Sequence, residues 1–232
     1  MSLENRFVVA AQGRPAAAVL VGERATAAER RAAEEFERYV REISGTALAI
    51  RRVVAGEPLP PGDAVLIGRA ETHSVVADLV GNGLVALSST DPGLDGYVMS
   101  PVQVDDGQYL VLGGSADRSA LYAVYDFLQR FAGVGYFEDG DYVPPARAVS
   151  MPWYEVRERP RFPVRQILQG CAVGYTTKWW GLEDWRREVD WAVKKRYNVV
   201  CLAMGHEAVW KDVYRAFGVD AGTGDALGDQ HG

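Results

Sequence analysis

Residues 164–218 read VRQILQGCAVGYTTKWWGLEDWRREVDWAVKKRYNVVCLAMGHEAVWKDVYRAFG, and their rhythm decides the fold. Val164–Gln169 is a short run expected to form a strand. Asp184–Lys195 follows as a helix, with Trp185, Val189 and Ala192 at helical spacing on its inner face. Asn198–Ala203 is nearly all apolar, as a strand buried on both faces should be, and Glu207–Phe217 is the next helix. Strand, helix, strand, helix is the order of parallel βα units. The tail from Gly218 is rich in Gly and Asp and reads as frayed.

The same alternation runs back through the first 150 residues. Ala16–Val21 is an apolar run expected as a strand. Thr26-x-x-Glu29 then opens a helix as a capping box, hydroxyl and carboxylate each serving an amide that the helix start leaves unpaired. Ala32, Phe36, Val40 and Ile43 give one apolar stripe, and Gly45 closes the helix. Leu48–Val54 and Ala64–Gly68 read as strands separated by the Pro-Gly loop Gly56–Gly62, and Thr72–Val80 as a helix. Gly96–Ser100 and Tyr109–Gly113 are strands around a turn at Asp105-Asp106-Gly107. Asp117–Phe131 is a helix with Leu121, Val124, Leu128 and Phe131 on one face. Gly135–Arg161 holds Pro144, Pro145, Pro152 and Pro160 with little period, the composition of a linker or extended arm. The expected division is an N-terminal α/β accessory domain over 1–150 and a second βα domain over 151–232.

Composition narrows the functional classes. Of 232 residues, 48% are apolar and 24% charged, which suffices for a buried core. A net charge of −6 with interspersed signs argues against nucleic-acid and anionic-membrane partners. No run approaches the ~18 apolar residues of a membrane span. Met1-Ser2-Leu3-Glu4-Asn5-Arg6 lacks the apolar core of a secretory signal, which leaves a cytoplasmic protein or one whose signal has been removed. Cys171 and Cys201 form no CxxC motif and are too few for a disulfide scaffold. His73, His206 and His231 are too scattered for a metal cluster, and neither a metal nor a cofactor is expected. Leu112-Gly113-Gly114-Ser115 joins a strand to a helix but matches neither GxxxxGK(S/T) nor GxGxxG. A tight turn is the better reading, which argues against a nucleotide-binding domain.

The residues that point to chemistry follow the strands of the second domain. Loops after the strands form the active-site face of a parallel α/β barrel. The first such loop carries Gly170-Cys171-x3-Tyr175-x3-Trp179-Trp180, long and unusually aromatic. Aromatic faces stack on sugar C–H surfaces and a tyrosine hydroxyl bonds sugar oxygens. Cys171 and Tyr175, nearer the strand end, are pocket candidates; Trp179, Trp180 and Trp185 read better as core anchors of the following helix. The second loop carries Gly205-His206-Glu207. Glu207 either bonds a substrate hydroxyl, braces the first loop or serves as a helix N-terminal acid on the dipole. His206 is either a group titrating near neutral pH or a structural donor. Glu183, Asp184, Glu188 and Asp190 interleave with Arg186, Arg187 and Lys194 and read as a solvated, ion-paired face.

Three blocks together resemble a family. Cys171-x3-Tyr175-x3-Trp179-Trp180, Trp185-x2-Glu188-x-Asp190-Trp191 and Gly205-x-Glu207-Ala208-x-Trp210-x2-Val213-Tyr214-x-Ala216-x-Gly218 look like the start of the barrel in the alpha-N-acetylglucosaminidase family. The preceding domain resembles, in its order of elements, the N-terminal α/β domain shared with beta-hexosaminidases and alpha-glucuronidases. The resemblance implies an α/β sandwich-like domain followed by the first βα units of a (β/α)8 barrel. It also implies a retaining hydrolase of terminal alpha-linked N-acetylglucosamine using two glutamates. Those glutamates lie on later barrel strands, so it assigns no catalytic residue to this chain. Cys171 and Tyr175 match the family's sugar pocket. Gln169 stands where Asn is usual, His206 where Gln is usual, Gly181-Leu182 replaces an acid–aromatic pair, and Arg196-Tyr197 replaces a small Gly-containing turn. The first two departures leave the sugar open.

A full barrel needs ~200 residues or more, and 69 remain from Val164. The chain is therefore expected to be part of a larger enzyme, inactive by itself, with carbohydrate as its partner and its oligomeric state open. The alternatives are a segment of an alpha-glucuronidase-like hydrolase and a non-catalytic carbohydrate-binding module.

Overall fold

The computed structural model describes residues 4–167, 175–200 and 206–219. The chain divides into two compact units, Met1–Pro163 and Val164–Gly232. The first contains β1 (Arg6–Ala11), β2 (Arg14–Pro15), β3 (Ala17–Gly22), α1 (Ala27–Ser44), β4 (Ile50–Val53), β5 (Asp63–Gly68) and α2 (Ser74–Gly81). It continues with β6 (Tyr97–Val104), β7 (Gly107–Gly114), α3 (Asp117–Ala132), β8 (Gly135–Phe137), β9 (Gly140–Tyr142), β10 (Ala148–Pro152) and β11 (Val156–Glu158).

Six strands form the main sheet in the order β11-β6-β7-β5-β3-β4. β4, β3, β5 and β7 run parallel, while β6 pairs antiparallel with β7 and with β11. Successive residues of a strand face opposite sides. Leu20, Ala64, Leu66, Val98 and Val111 gather with Val75, Val76 and Leu79 of α2 into one apolar core. α1 and α3 pack on each other and reach β3 and β7 respectively. α1 turns Ala32, Phe36, Val40 and Ile43 inward, all at most 3% exposed. Burying a side chain such as Phe36 contributes on the order of 1.5–3 kcal/mol. The expected capping box is present: Thr26 Oγ1 accepts from Glu29 N–H at 3.2 Å and Glu29 Oε2 from Thr26 N–H at 2.7 Å. Gly45 caps the other end at φ 72°, the left-handed conformation. Gly113 and Gly114, expected in a tight turn, are instead the last residues of β7, and a Cβ on Gly114 would lie 2.4 Å from the Cβ of Ser119.

The stretch expected as linker is instead folded into the first unit. β10 pairs with β1, β11 joins the main sheet beside β6, and β8 and β9 form a hairpin. The division of the chain accordingly falls after Pro163, beyond the expected seam at 150. The prolines punctuate strands too short to show a period: Pro144 and Pro145 lie between β9 and β10, and Pro152 ends β10. Tyr39 of α1 holds the hairpin, its hydroxyl donating to Asp141 Oδ2 at 2.5 Å. β1 lies outside the expected elements.

The second unit comprises β12 (Gln166–Ile167), a 3-10 turn (Tyr175–Trp179), α4 (Leu182–Lys194), β13 (Val199–Val200) and α5 (His206–Ala216). β12 and β13 are parallel, in the register Gln166↔Val199 and Ile167↔Val200. Arg165 fastens them: its N–H donates to Asn198 Oδ1 at 2.8 Å and its Nε to the Arg196 carbonyl at 2.6 Å. Some sequence expectations fail here. Val189 and Val199 are each 37% exposed, against the expected inner-face and doubly buried positions. Glu188, expected on a solvated face, is buried beside Ala192, whereas Glu183 and Asp184 do pair outward with Arg186 and Arg187. Trp179 is 79% exposed rather than a core anchor; Trp180 and Trp185 are half-buried and meet edge to face, ring centroids 5.0 Å apart.

Candidate functional site

The parallel pairing of β12 and β13 means that both strands run out at the same end of their ladder. The segments leaving that end carry the sequence-derived candidates. Gln169 and Cys171 lie outside the described residues, as does Cys201. Tyr175, His206 and Glu207 are described in their backbone: Tyr175 opens the 3-10 turn that follows β12, and His206 and Glu207 open α5 after β13. Glu207 in the first turn of a helix is where a carboxylate is favoured by the helix dipole, which keeps that reading beside the sugar-binding one. Thr177, in the 3-10 turn, is buried, and Asp184 Oδ2 accepts from Gly181 N–H at 2.9 Å to start α4. Arg196, where a Gly-containing turn is usual, sits at φ 64°, a conformation that glycine adopts without strain. That departure places a positive φ on a non-glycine residue next to the ladder.

The first unit offers the other place where an α/β sheet binds ligands, the crevice beyond the carboxyl ends of strands at a topological switch point. Here that point lies between β3 and β5, because β4 flanks β3 on one side and β5 and β7 lie on the other. Protein fills it. Glu29, fully buried, receives Thr72 Oγ1 at 2.7 Å and Arg69 Nε at 3.0 Å on Oε1, while Oε2 caps α1. Removing one partner from such a buried pair costs on the order of 3–5 kcal/mol. His73 lies beneath, fully buried, with Nε2 3.3 Å from the Leu20 carbonyl. The carbonyl can only accept, so Nε2 carries the proton and Nδ1 is a bare acceptor with no partner. Burial pushes the imidazole down to about 4, against the Leu20 carbonyl and Glu29, which favour its charged form. Gly22 at the end of β3 lets the chain in: a Cβ there would fall 1.9 Å from the Thr72 carbonyl oxygen. This cluster is a fastening of α1, α2 and β3, with its donors and carboxylate already matched. The sequence showed half of it as the local Thr26–Glu29 box; the second role of Glu29 depends on residues about forty positions away.

Among the described residues no helix is long and apolar enough to cross a membrane. No group of three or more His, Cys, Asp or Glu among them could hold a metal ion.

Comparison with known proteins follows the two units. Residues 165–225 match the alpha-N-acetylglucosaminidase TIM-barrel domain, and residues 5–127 match the glycosyl hydrolase family 67 N-terminus. The alpha-N-acetylglucosaminidase of Homo sapiens is 27% identical over 158 residues, 65% of this chain. The chain spans about a fifth of that enzyme's length (21%). A family GH115 4-O-methyl-alpha-glucuronidase shares the fold with a TM-score of 0.57 at 13% identity, over 84% of this chain and 25% of its own. A family 89 glycoside hydrolase from Clostridium perfringens, solved with PUGNAc, shares it with a TM-score of 0.50 at 14% identity, over 85% and 19%. The first unit is thus of the glycoside hydrolase N-domain type and the second opens a (β/α)8 barrel. By its first unit the chain belongs to the family of the glycosyl hydrolase family 67 N-terminus.

Proposed function

We propose that this chain is the front of a retaining glycoside hydrolase that removes terminal alpha-linked N-acetylglucosamine or a closely similar sugar. The observation that supports this reading is the parallel β12–β13 ladder, after whose strands come the 3-10 turn opened by Tyr175 and the helix opened by His206 and Glu207. In a βα barrel the loops after the strands form the active-site face. In this reading the two segments form part of the sugar pocket. Tyr175 and Glu207 offer hydroxyl and carboxylate partners for sugar hydroxyls, while Gln169 and His206 set the sugar preference. Retention requires two carboxyl groups about 5 Å apart across the scissile bond. Neither is assigned here, Glu207 included, so the chain alone is expected to bind weakly and to turn nothing over.

The test compares aryl alpha-N-acetylglucosaminide with aryl alpha-glucuronide. The 232-residue chain, free of host glycosidases, is assayed beside a chimera in which the remaining barrel of a relative follows residue 218. Hydrolysis of the first substrate by the chimera, with the alpha anomer released first by NMR, is the expected outcome. Turnover by the chain alone, inversion, or preference for the glucuronide would overturn the reading. Glu207→Gln in the chimera is expected to raise KM with little change in kcat, the pattern of a binding group.

A further inference from the structure

A groove lies in the first unit, at the opposite end of the main sheet from the Glu29 fastening. It is an open groove of about 450 Å3 between the start of β5, the β6–β7 turn and one flank of α2. That size falls within the roughly 300–1,000 Å3 range of small-molecule sites. Val75, Leu79, Val104 and Tyr109 give it an apolar floor, and Pro60-Pro61-Gly62 forms one stiff wall. Asp78, Asn82, Asp105 and Asp106 supply its polar groups, and no lysine or arginine lines it. These four side chains are exposed along the rim, and Tyr109 is half-buried at the floor. Tyr109 lies back over Gly107, where a Cβ would come within 3.2 Å of its hydroxyl oxygen.

We propose that this groove is a binding site for a neutral saccharide, separate from the pocket of the barrel unit. Three carboxylates and an amide present acceptors to a ligand rich in hydroxyl donors, while Tyr109 and the aliphatic floor match the C–H face of a pyranose. The absence of a lining cation disfavours anionic ligands, uronic acids included. The carboxylates are not grouped to hold a metal ion. The choice of a sugar among neutral polyols rests on the glycosidase reading; the site itself does not. Its role would be to hold a glycan chain while another part of the protein works on it.

The experiment is an NMR titration of the 15N-labelled 232-residue chain with the beta-1,4-linked disaccharide of N-acetylglucosamine, with glucuronic acid, and with spermidine. Amide shifts at residues 59–62, 78–84 and 104–109 report this groove; those at 175–180 and 206–217 report the barrel loops, so the two sites fail or succeed separately. Saturable shifts in the first set with the disaccharide, at least tenfold weaker with glucuronic acid, are expected. Asn82→Ala, on an exposed position, is expected to weaken binding about tenfold, the loss of one good hydrogen bond. Asp106→Ala provides a second variant on the exposed turn, with the same expectation. Saccharide binding without shifts in the first set, stronger binding of spermidine, or no saturable shift with the disaccharide overturns the proposal. So does unchanged affinity in both variants.

Discussion

Acidification should unfasten the first unit through His73. The unfolded chain takes up a proton on this residue near 6.5, the ordinary value, while the folded imidazole stays neutral down to about 4. Stability is therefore complete above 6.5, falls as the pH drops between 6.5 and 4, and levels off below. The slope approaches 1.36 kcal/mol per pH unit, giving a loss of about 2 kcal/mol at pH 5 and about 3 kcal/mol when the window is complete. Desolvation is the main cause, and the structure shows why relaxation is difficult. A proton added at Nδ1 would find no acceptor, and Nε2 is already committed to the Leu20 carbonyl. Glu29 is the charged neighbour that favours protonation, but its carboxylate is engaged by Arg69, Thr72 and the α1 amide. The assay is urea unfolding followed by circular dichroism from pH 7.5 to 4.5, on the native chain and on His73→Gln, whose amide can still donate to Leu20. Comparing the two removes the contributions of His206, His231 and the carboxylates. The native chain should lose about 2 kcal/mol more than the variant between pH 7.5 and 5. Parallel curves for the two proteins would refute the reasoning.

Two other perturbations test the packing. Gly22→Ala places a methyl 1.9 Å from the Thr72 carbonyl oxygen, backbone that cannot step aside cheaply. A loss of about 3 kcal/mol in urea unfolding of the first unit is expected, near the upper end of overpacking costs; a loss below about 1 kcal/mol would show that α2 shifts freely. Arg196→Gly relieves the left-handed φ of 64° between α4 and β13. It should slow hydrogen exchange at the amides of 198–200 and stabilise the second unit by about 0.5–1 kcal/mol after the entropy cost of glycine.

What could be read from the sequence follows from the range of the interactions. α1 was legible because its Thr26–Glu29 cap, its Phe36 and Val40 stripe and its Gly45 stop all act within one helix. α3 was legible on the same grounds. β8 to β11 were not, since strands of three to five residues among prolines carry no period, and the pairing of β10 with β1 and of β11 with β6 is set by partners far along the chain. The second unit shows the converse failure. Asn198–Ala203 reads as doubly buried because it is composed for a central barrel strand, yet Val199 is 37% exposed on a ladder of two. An apolar run thus records the surroundings that a strand is built for. The same holds for α5, where Val209 and Trp210 stand more than half exposed. Helical spacing identified the element, and only a covering layer would say which face is inner. The candidate pocket rests on family resemblance, through Cys171 and Tyr175, whereas composition offers no hint of it. The reverse is true of the acidic groove beside Tyr109. Its parts read in sequence only as a Pro-Gly loop, an Asp-Asp-Gly turn and a short helix, and β5, β7 and α2 place them around one space. Chemistry that depends on one loop can be found from its letters; chemistry shared among three elements needs the fold that brings them together.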